Sequence, residues 1–433
     1  MSVDVDALKA KLAQVTTLRA MGRVLGVTGL SLRFVMPGVR IGDVVVVKRR
    51  GAPLACEVVG FDRGEAIGMP LGALVGVGPD DEVESTGGPL QVRASDALLG
   101  RVVDGLGQAF DGGPMPEGDW IPVDRAPPAA LDRRPVAEPM ATGVRVIDGL
   151  LTLGEGQRMG LFAGSGVGKS SLLGAVARGA EADVVIVALV GERGREVGDF
   201  LSGSLGHVGR KKSVVVVATS DVAALERLRA AQVATAYAEY FRDRGARVLL
   251  LVDSITRCAR AQREVGLAAG EPPTRRGYPP SVFAMLPRLL ERTGQGARGS
   301  ITAIYTVLVE GGDMDEPIAD EVRGILDGHI VLDRSIAARG RYPAVDITVS
   351  LSRVMDAIVT KEHREAARRL RSLVSVYESK RDLVALGAYV KGADKELDDA
   401  IAHTPRIEAL LRQDPGEKSA FAETLAGLLQ AVK

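Results

Sequence analysis

The sequence predicts an α/β protein with a parallel-sheet core, a small β-barrel before it and a helical domain after it. Three observations carry this. Short β-branched runs crowd residues 22–92, broken at close intervals by Gly, Pro and Asp. Between 158 and 333, apolar runs alternate with helical segments. Beyond Met355 the chain turns helical and charged. Closely spaced short strands suit a small barrel. Alternating strands and helices imply a mainly parallel sheet covered on both faces. The expected divisions are an N-terminal helical segment at 1–20, a barrel at 21–93, a core at 94–357 and a helical domain at 358–433.

Taken in order, residues 4–18 place Leu8, Leu12 and Val15 near helical spacing, which predicts a short amphipathic helix. The barrel strands include Asp43 to Lys48 and Ala55 to Gly60, with breaks at Pro37, Gly38, Gly42, Gly51 and Gly64. A Gly/Pro-rich passage from Gly100 to Pro139 reads as a connecting segment across a domain surface. Core strands are predicted at 158–163, 183–190, 213–218, 247–252, 301–308 and 328–333. The clearest intervening helix runs from Val222 to Asp243, with Leu225, Leu228, Ala231, Tyr237 and Phe241 as its buried face. C-terminal helices are predicted from Lys361 to Arg381, at 394–413 and at 418–432. Their charges read as solvated faces, with a partner surface as the alternative.

Composition excludes several classes. The 433 residues carry 46% hydrophobic and 25% charged side chains, ordinary for a globular chain of two or three domains. Lys and Arg number 55, as do Asp and Glu, so no global charge argues for nucleic acid. Cys56 and Cys258 stand alone, implying neither disulfide framework nor thiolate metal site and fitting a reducing compartment. The 4 histidines have no ligand spacing. The start lacks the features of a secretory signal, and no apolar run approaches the ~20 residues of a membrane span. The expectation is a cytoplasmic protein whose membrane contact is peripheral.

The most informative stretch is Ala163, Gly164, Ser165, Gly166, Val167, Gly168, Lys169, Ser170 and Ser171. It lies between an apolar strand and a helical segment, the context of a phosphate-binding loop. Its glycines let backbone N–H groups cradle polyphosphate oxygens, and the helix N-terminus adds positive potential. Lys169 would neutralise β- and γ-phosphates, and the Ser170 hydroxyl would ligate Mg²⁺. The first position is Ala163 where glycine is usual, a minor variant.

Two carboxylates accompany the loop. The apolar run 248–252 ends in Asp253, at the sheet edge beside the loop, where such a group helps hold Mg²⁺ through water. A second strand ends at Gly191 and delivers Glu192 to the same edge, where a carboxylate can orient an attacking water. In isolation the segment around Glu192 reads as a solvated charged loop.

The loop, the Gly-Glu-Arg at 191–193 and the Asp-Ser-Ile-Thr-Arg at 253–257 resemble the catalytic subunits of rotary ATPases. Three longer segments are more specific. These are Arg-Arg-Gly-Tyr-Pro-Pro-Ser at 275–281, Leu-Pro-Arg-Leu-Leu-Glu-Arg-Thr-Gly at 286–294 and the stretch 315–333. They resemble the ATPases of type III protein export, which serve flagellar export and virulence injectisomes. The resemblance spans nearly the whole chain and implies a RecA-like core.

Residue by residue, the resemblance implies that Glu192 is the catalytic glutamate and that Arg193 holds its geometry. It makes Asp253 the magnesium-associated aspartate and Arg257 an arginine near the γ-phosphate. Tyr342 becomes an aromatic against adenine, with a plain turn tyrosine before proline as the alternative. Arg353 becomes an arginine finger reaching the γ-phosphate of the neighbouring subunit. It further implies a homohexameric, Mg²⁺-dependent ATPase at the export gate of the inner membrane, working on chaperones and cargo. A stator-like regulator would meet residues 7–15, and a central stalk and chaperones would meet the helices after Lys361.

Two other readings share the site. A catalytic subunit of an F-, V- or A-type rotary ATPase is disfavoured by the short chain and the motif at 286–292. A Rho-like nucleic-acid translocase needs clustered basic and aromatic residues, and the barrel region offers only Phe34 and Phe61 as aromatics.

Overall fold

The structure, a computed structural model, describes residues 20–433. The helix expected at 4–18 and the regulator contact at 7–15 lie outside the described residues. The fold class observed is the one predicted.

Strands β1 (Met21–Thr28), β2 (Ser31–Val35), β3 (Asp43–Lys48), β4 (Leu54–Asp62), β5 (Glu65–Pro70) and β6 (Glu82–Pro89) close into a barrel ordered β1-β2-β5-β4-β3-β6. Val24, Leu32, Phe34, Val45, Val47, Cys56, Val58 and Val83 fill its interior. They are alternate residues of their strands, as a small barrel filled by side chains requires. Gly68 is obligatory here, since a Cβ would come 2.8 Å from the Phe34 ring. Burial pushes the Cys56 thiol up to about 12, so it packs as a hydrophobe.

The core follows. Strand β7 (Gln91–Ala94) pairs with β9 (Asp119–Pro122) as a separate ribbon. The main sheet is built from β8 (Val102–Asp104), β10 (Arg158–Ala163), β11 (Val184–Glu192), β12 (Ser213–Thr219), β13 (Arg247–Asp253), β14 (Gly294–Gln295), β15 (Ser300–Leu308), β16 (Gly328–Leu332) and β17 (Leu351–Ser352). These 9 strands take the order β17-β16-β10-β15-β13-β11-β12-β8, with β14 hairpinned onto β15. From β16 to β8 the pairings are parallel, and β17 joins antiparallel at one edge. Every residue of β11 is buried, the signature of a strand covered on both faces.

Each predicted core strand is present. The passage from Gly100 to Pro139, expected as a connection only, also contributes β8 to the sheet, where Val102 pairs with Val215. A strand of three residues between glycines is too short to show a period. The helix Ala224–Asp243 is buried along the predicted face and also at Ala230, Val233, Ala234 and Ala236.

The C-terminal helices Lys361–Ala385, Lys395–Leu411 and Phe421–Ala431 share one apolar core with the sheet. Leu370, Ile407 and Leu428 pack in the same cluster as Ile147 and Leu150. Thr360 and Asp394 cap the first two of these helices through their side chains.

Deep in the core, Arg292 of the 286–294 motif meets Glu239 in a two-pronged ion pair at 3.0 and 2.8 Å. Its third contact is the Val123 carbonyl at 2.9 Å. The motif is therefore clamped both to the helix Ala224–Asp243 and to the segment that follows β9.

Candidate active site

The phosphate-binding loop springs from the end of β10, a strand flanked by β15 and β16, which both come later in the chain. Ligands of open α/β sheets sit at such crossing points, outside the strand C-termini. Ala163 is fully buried as the last strand residue, and buried Val167 pins the loop from below. Gly166 and Gly168 take φ of 77° and 89°, the left-handed region that favours glycine. Lys169 opens the helix Lys169–Gly179, and Ser170 and Ser171 lie exposed in its first turn. Gly164 faces Arg334, whose Nε would lie 3.2 Å from an added Cβ.

Glu192 reaches the site through a local irregularity. The pairing of β11 with β12 shifts register between Val190 and Glu192, and Gly191 has φ 68°. Such a bulge re-aims the side chain after it. Gly191 also admits the Arg257 stem, since a Cβ there would stand 3.0 Å from Arg257 Cδ. Arg257 Nη2 then lies 3.1 Å from Glu192 Oε2.

Asp253 ends β13, only 2% exposed. Its Oδ1 accepts from the Thr306 hydroxyl at 2.7 Å and from the Lys169 ammonium. Lys169 Nζ also stands 3.4 Å from Glu192 Oε1. Two cations and two carboxylates thus interlock at the edge of the sheet.

Burial pushes the Glu192 carboxyl up to about 7, helped by a hydrogen bond with Glu196 and by the Asp253 charge. Lys169 and Arg257 pull the other way and are outweighed. Glu196 moves oppositely, below its usual range, chiefly through that same hydrogen bond.

The oxygens present fit Mg²⁺. The Ser170 hydroxyl and the Asp253 carboxylate are hard donors, and both hydrogen bonds to Asp253 fall on Oδ1. Among the described residues no cluster of three His, Cys, Asp or Glu side chains forms an all-protein cage. Mg²⁺ suits such a sparse site, because it keeps waters and substrate phosphates as ligands.

Beside the loop lies a pocket of about 340 Å³, lined by Gly168, Leu172, Ala175, Tyr342, Pro343 and Gln413 among others. Its size suits a nucleobase. The Tyr342 ring would touch a Cβ added at Gly168, at 3.4 Å. Gln413 closes the far wall: its N–H donates to the Tyr342 carbonyl at 2.8 Å, and its side chain bonds Arg145 N and Gly143 O.

Two predicted residues stand elsewhere. Arg193 is not paired with Glu192: it stands at the boundary before the next helix, and its side chain is 80% exposed and pairs with Glu196 at 3.4 Å. The arginine that contacts Glu192 is Arg257. Arg353 is exposed, and its N–H donates to the Asp327 carbonyl at 2.9 Å, beside the start of β16. The loop follows the end of the parallel strand β10, so Arg353 and Lys169 occupy opposite ends of the sheet. Thr306, Arg334 and the 413–417 segment were not read from the sequence. A threonine inside an apolar strand at Thr306 is the one signal that pointed there.

A parallel sheet with this loop and two edge carboxylates defines a RecA-like P-loop nucleotide hydrolase. The family described as ATP synthase alpha/beta family, nucleotide-binding domain, matches residues 143–352. The T3SS EscN ATPase C-terminal domain matches residues 359–430. A type 3 secretion system ATPase of Xanthomonas euvesicatoria is 52% identical over 421 residues, 96% of this chain and 95% of that one. A flagellum-specific ATP synthase of Bacillus subtilis is 51% identical over 411 residues, 94% of each chain. The structure of the assembled ATPase EscN from the type III secretion system of enteropathogenic E. coli superposes with a TM-score of 0.90 at 44% identity. That match covers 95% of this chain and 100% of the other. The chain belongs to the ATPases of type III secretion and flagellar export.

Proposed function

We propose that the chain hydrolyses ATP with Mg²⁺ in a homohexameric ring whose active sites are completed across subunit boundaries. The observation that carries this is the position of Arg353, at the far end of the sheet from Lys169. An arginine finger so placed serves a neighbour.

ATP lies with its triphosphate along residues 164–170 and its base in the pocket against Tyr342. Backbone N–H groups of the loop and the helix N-terminus take the phosphate charge. Lys169 leaves Asp253 for the β- and γ-phosphate oxygens. Ser170 and Asp253 would hold Mg²⁺, which would supply charge neutralisation to the phosphates. Glu192, once ionised, accepts a hydrogen bond from the attacking water and aligns it. Arg257 fixes Glu192, and Arg193 contributes through Glu196. Phosphoryl transfer asks for positioning and charge rather than covalent help, and these residues supply both.

The same reading places the ring in the cytoplasm, peripheral to the export gate at the inner membrane. Among the described residues no helix is long and apolar enough to cross a membrane. A relative is known in complex with its central stalk, EscO. By that likeness a stalk, with chaperones and cargo, meets the helices after Lys361, and a stator-like regulator meets residues 7–15. Nucleic acid is not a partner. ATPase rates of wild type, Glu192→Gln and Arg353→Ala, with ring size by light scattering, test the proposal. Collapse of both variants in intact rings is expected, and full activity of either rejects its assigned role.

A further inference from the structure

Arg353 stands at the end of a stretch with almost no regular structure of its own. Residues 341–350 form turns, and β17 contributes two residues. The stretch is held from outside. Ser350 Oγ accepts from Val331 N at 2.9 Å and donates to the Asp346 carbonyl. Ser352 Oγ donates to the Thr152 carbonyl at 3.0 Å and accepts from Gln157 at 3.1 Å.

The largest single clamp comes from another part of the chain. Arg371, midway along the helix Lys361–Ala385, donates through Nη1 to the carbonyls of Ile347 and Ser350, the latter at 2.9 Å. Through Nη2 it donates to the Leu150 carbonyl at 2.6 Å. Among the described residues no carboxylate pairs with Arg371. A half-buried arginine spent wholly on backbone carbonyls acts as a brace, its rigid planar fork of donors reaching three acceptors from one stem. Arg353 and Arg371 also line the same cleft of about 310 Å³, together with Arg364 and Arg368.

We propose that Arg371 is a positioning residue for Arg353, fixing the 347–350 turn and with it the strand that presents the finger to the neighbouring site. The proposal rests on Arg353 acting in trans. Arg371 ties this turn to Leu150 and to a C-terminal helix at once, so a tilt of that helix displaces the finger. The nucleotide pocket of the same subunit does not contain Arg371.

The test uses Arg371→Met, which keeps length and removes all donors, with melting temperature and ring size recorded. Rings of Arg371→Met alone lose between about ten- and a hundredfold in kcat while the KM for ATP stays within about twofold, as a misplaced group costs rate. Mixed rings with Glu192→Gln subunits then regain activity, because each intact finger serves the Arg371→Met site beside it. Arg353→Ala mixed with Glu192→Gln is the control. If the control shows no recovery, the trans reading of Arg353 fails. If the control recovers and Arg371→Met does not, or if Arg371→Met has wild-type kcat, the positioning role is overturned. Should Arg371→Met not fold, Arg371→Lys decides by the same two readouts. A lowered kcat that mixing restores supports the role, and any other result rejects it.

Discussion

Arg257 Nη2 stands 3.1 Å from Glu192 Oε2, and its stem passes over Gly191 where no side chain fits. The bulge that turns Glu192 into the site and the arginine that receives it are thus one device. A side chain at Gly191 would break both, by forcing φ out of the left-handed region and by displacing Arg257.

The kcat/KM for ATP, which reports the free enzyme, rises as pH rises through about 7, because the Glu192 carboxyl, pushed up to about 7, must be ionised to accept a hydrogen bond from the attacking water. Arg257→Gln removes a cation that favours the ionised form, so the midpoint of the pH–rate profile moves upward. An unmoved midpoint would separate Arg257 from Glu192.

Stability carries the same proton with a definite sign. Glu192 binds its proton more tightly folded than unfolded, so its contribution is full below the ordinary carboxylate range and is lost as pH rises through about 7. Glu192→Gln cannot ionise. Its melting temperature relative to wild type therefore increases from about pH 5 to about pH 8. A difference that is flat or falls with pH contradicts the buried, protonated Glu192.

Tyr342→Ala raises the KM for ATP between about three- and tenfold with kcat unchanged, as expected when one aromatic stacking interaction disappears equally from ground and transition states. Tyr342→Phe stays close to wild type, since the side chain contributes its ring face. A fall in kcat without a change in KM assigns Tyr342 to the turn instead.

Glu239→Gln costs about 3–5 kcal/mol, because Arg292 is left buried and charged without its partner. Replacing both members by apolar residues of similar volume costs less than either single change. Thermal unfolding of the single and double variants checks this, and equal losses in all three would show that packing rather than charge dominates there.

Much of this was legible in the sequence because buried parallel strands announce themselves. The apolar run 184–190 is buried throughout, as its composition says, whereas the burial of Glu192 is not legible from a segment that reads alone as a charged loop. The loop was legible because glycines with φ of 77° and 89° leave a compositional mark. Pairings between distant segments leave none. Arg257, expected near the γ-phosphate, contacts Glu192, a pairing that nothing in its own segment announces. The expectation for Arg193 followed chain adjacency, and the side chain is instead exposed and paired with Glu196. Arg371 reads as one more charge on a solvated helix face, and nothing local distinguishes Gln413. Val102–Asp104 joins the sheet by pairing alone.

The most direct measurement is the steady-state ATPase rate per subunit against protein concentration, with assembly followed in parallel, for wild type and Arg353→Ala. The account predicts a rate that climbs as rings form, and a variant that assembles yet stays near the rate of the dilute chain. A rate independent of concentration and unaffected by Arg353→Ala would mean that each chain carries a complete site.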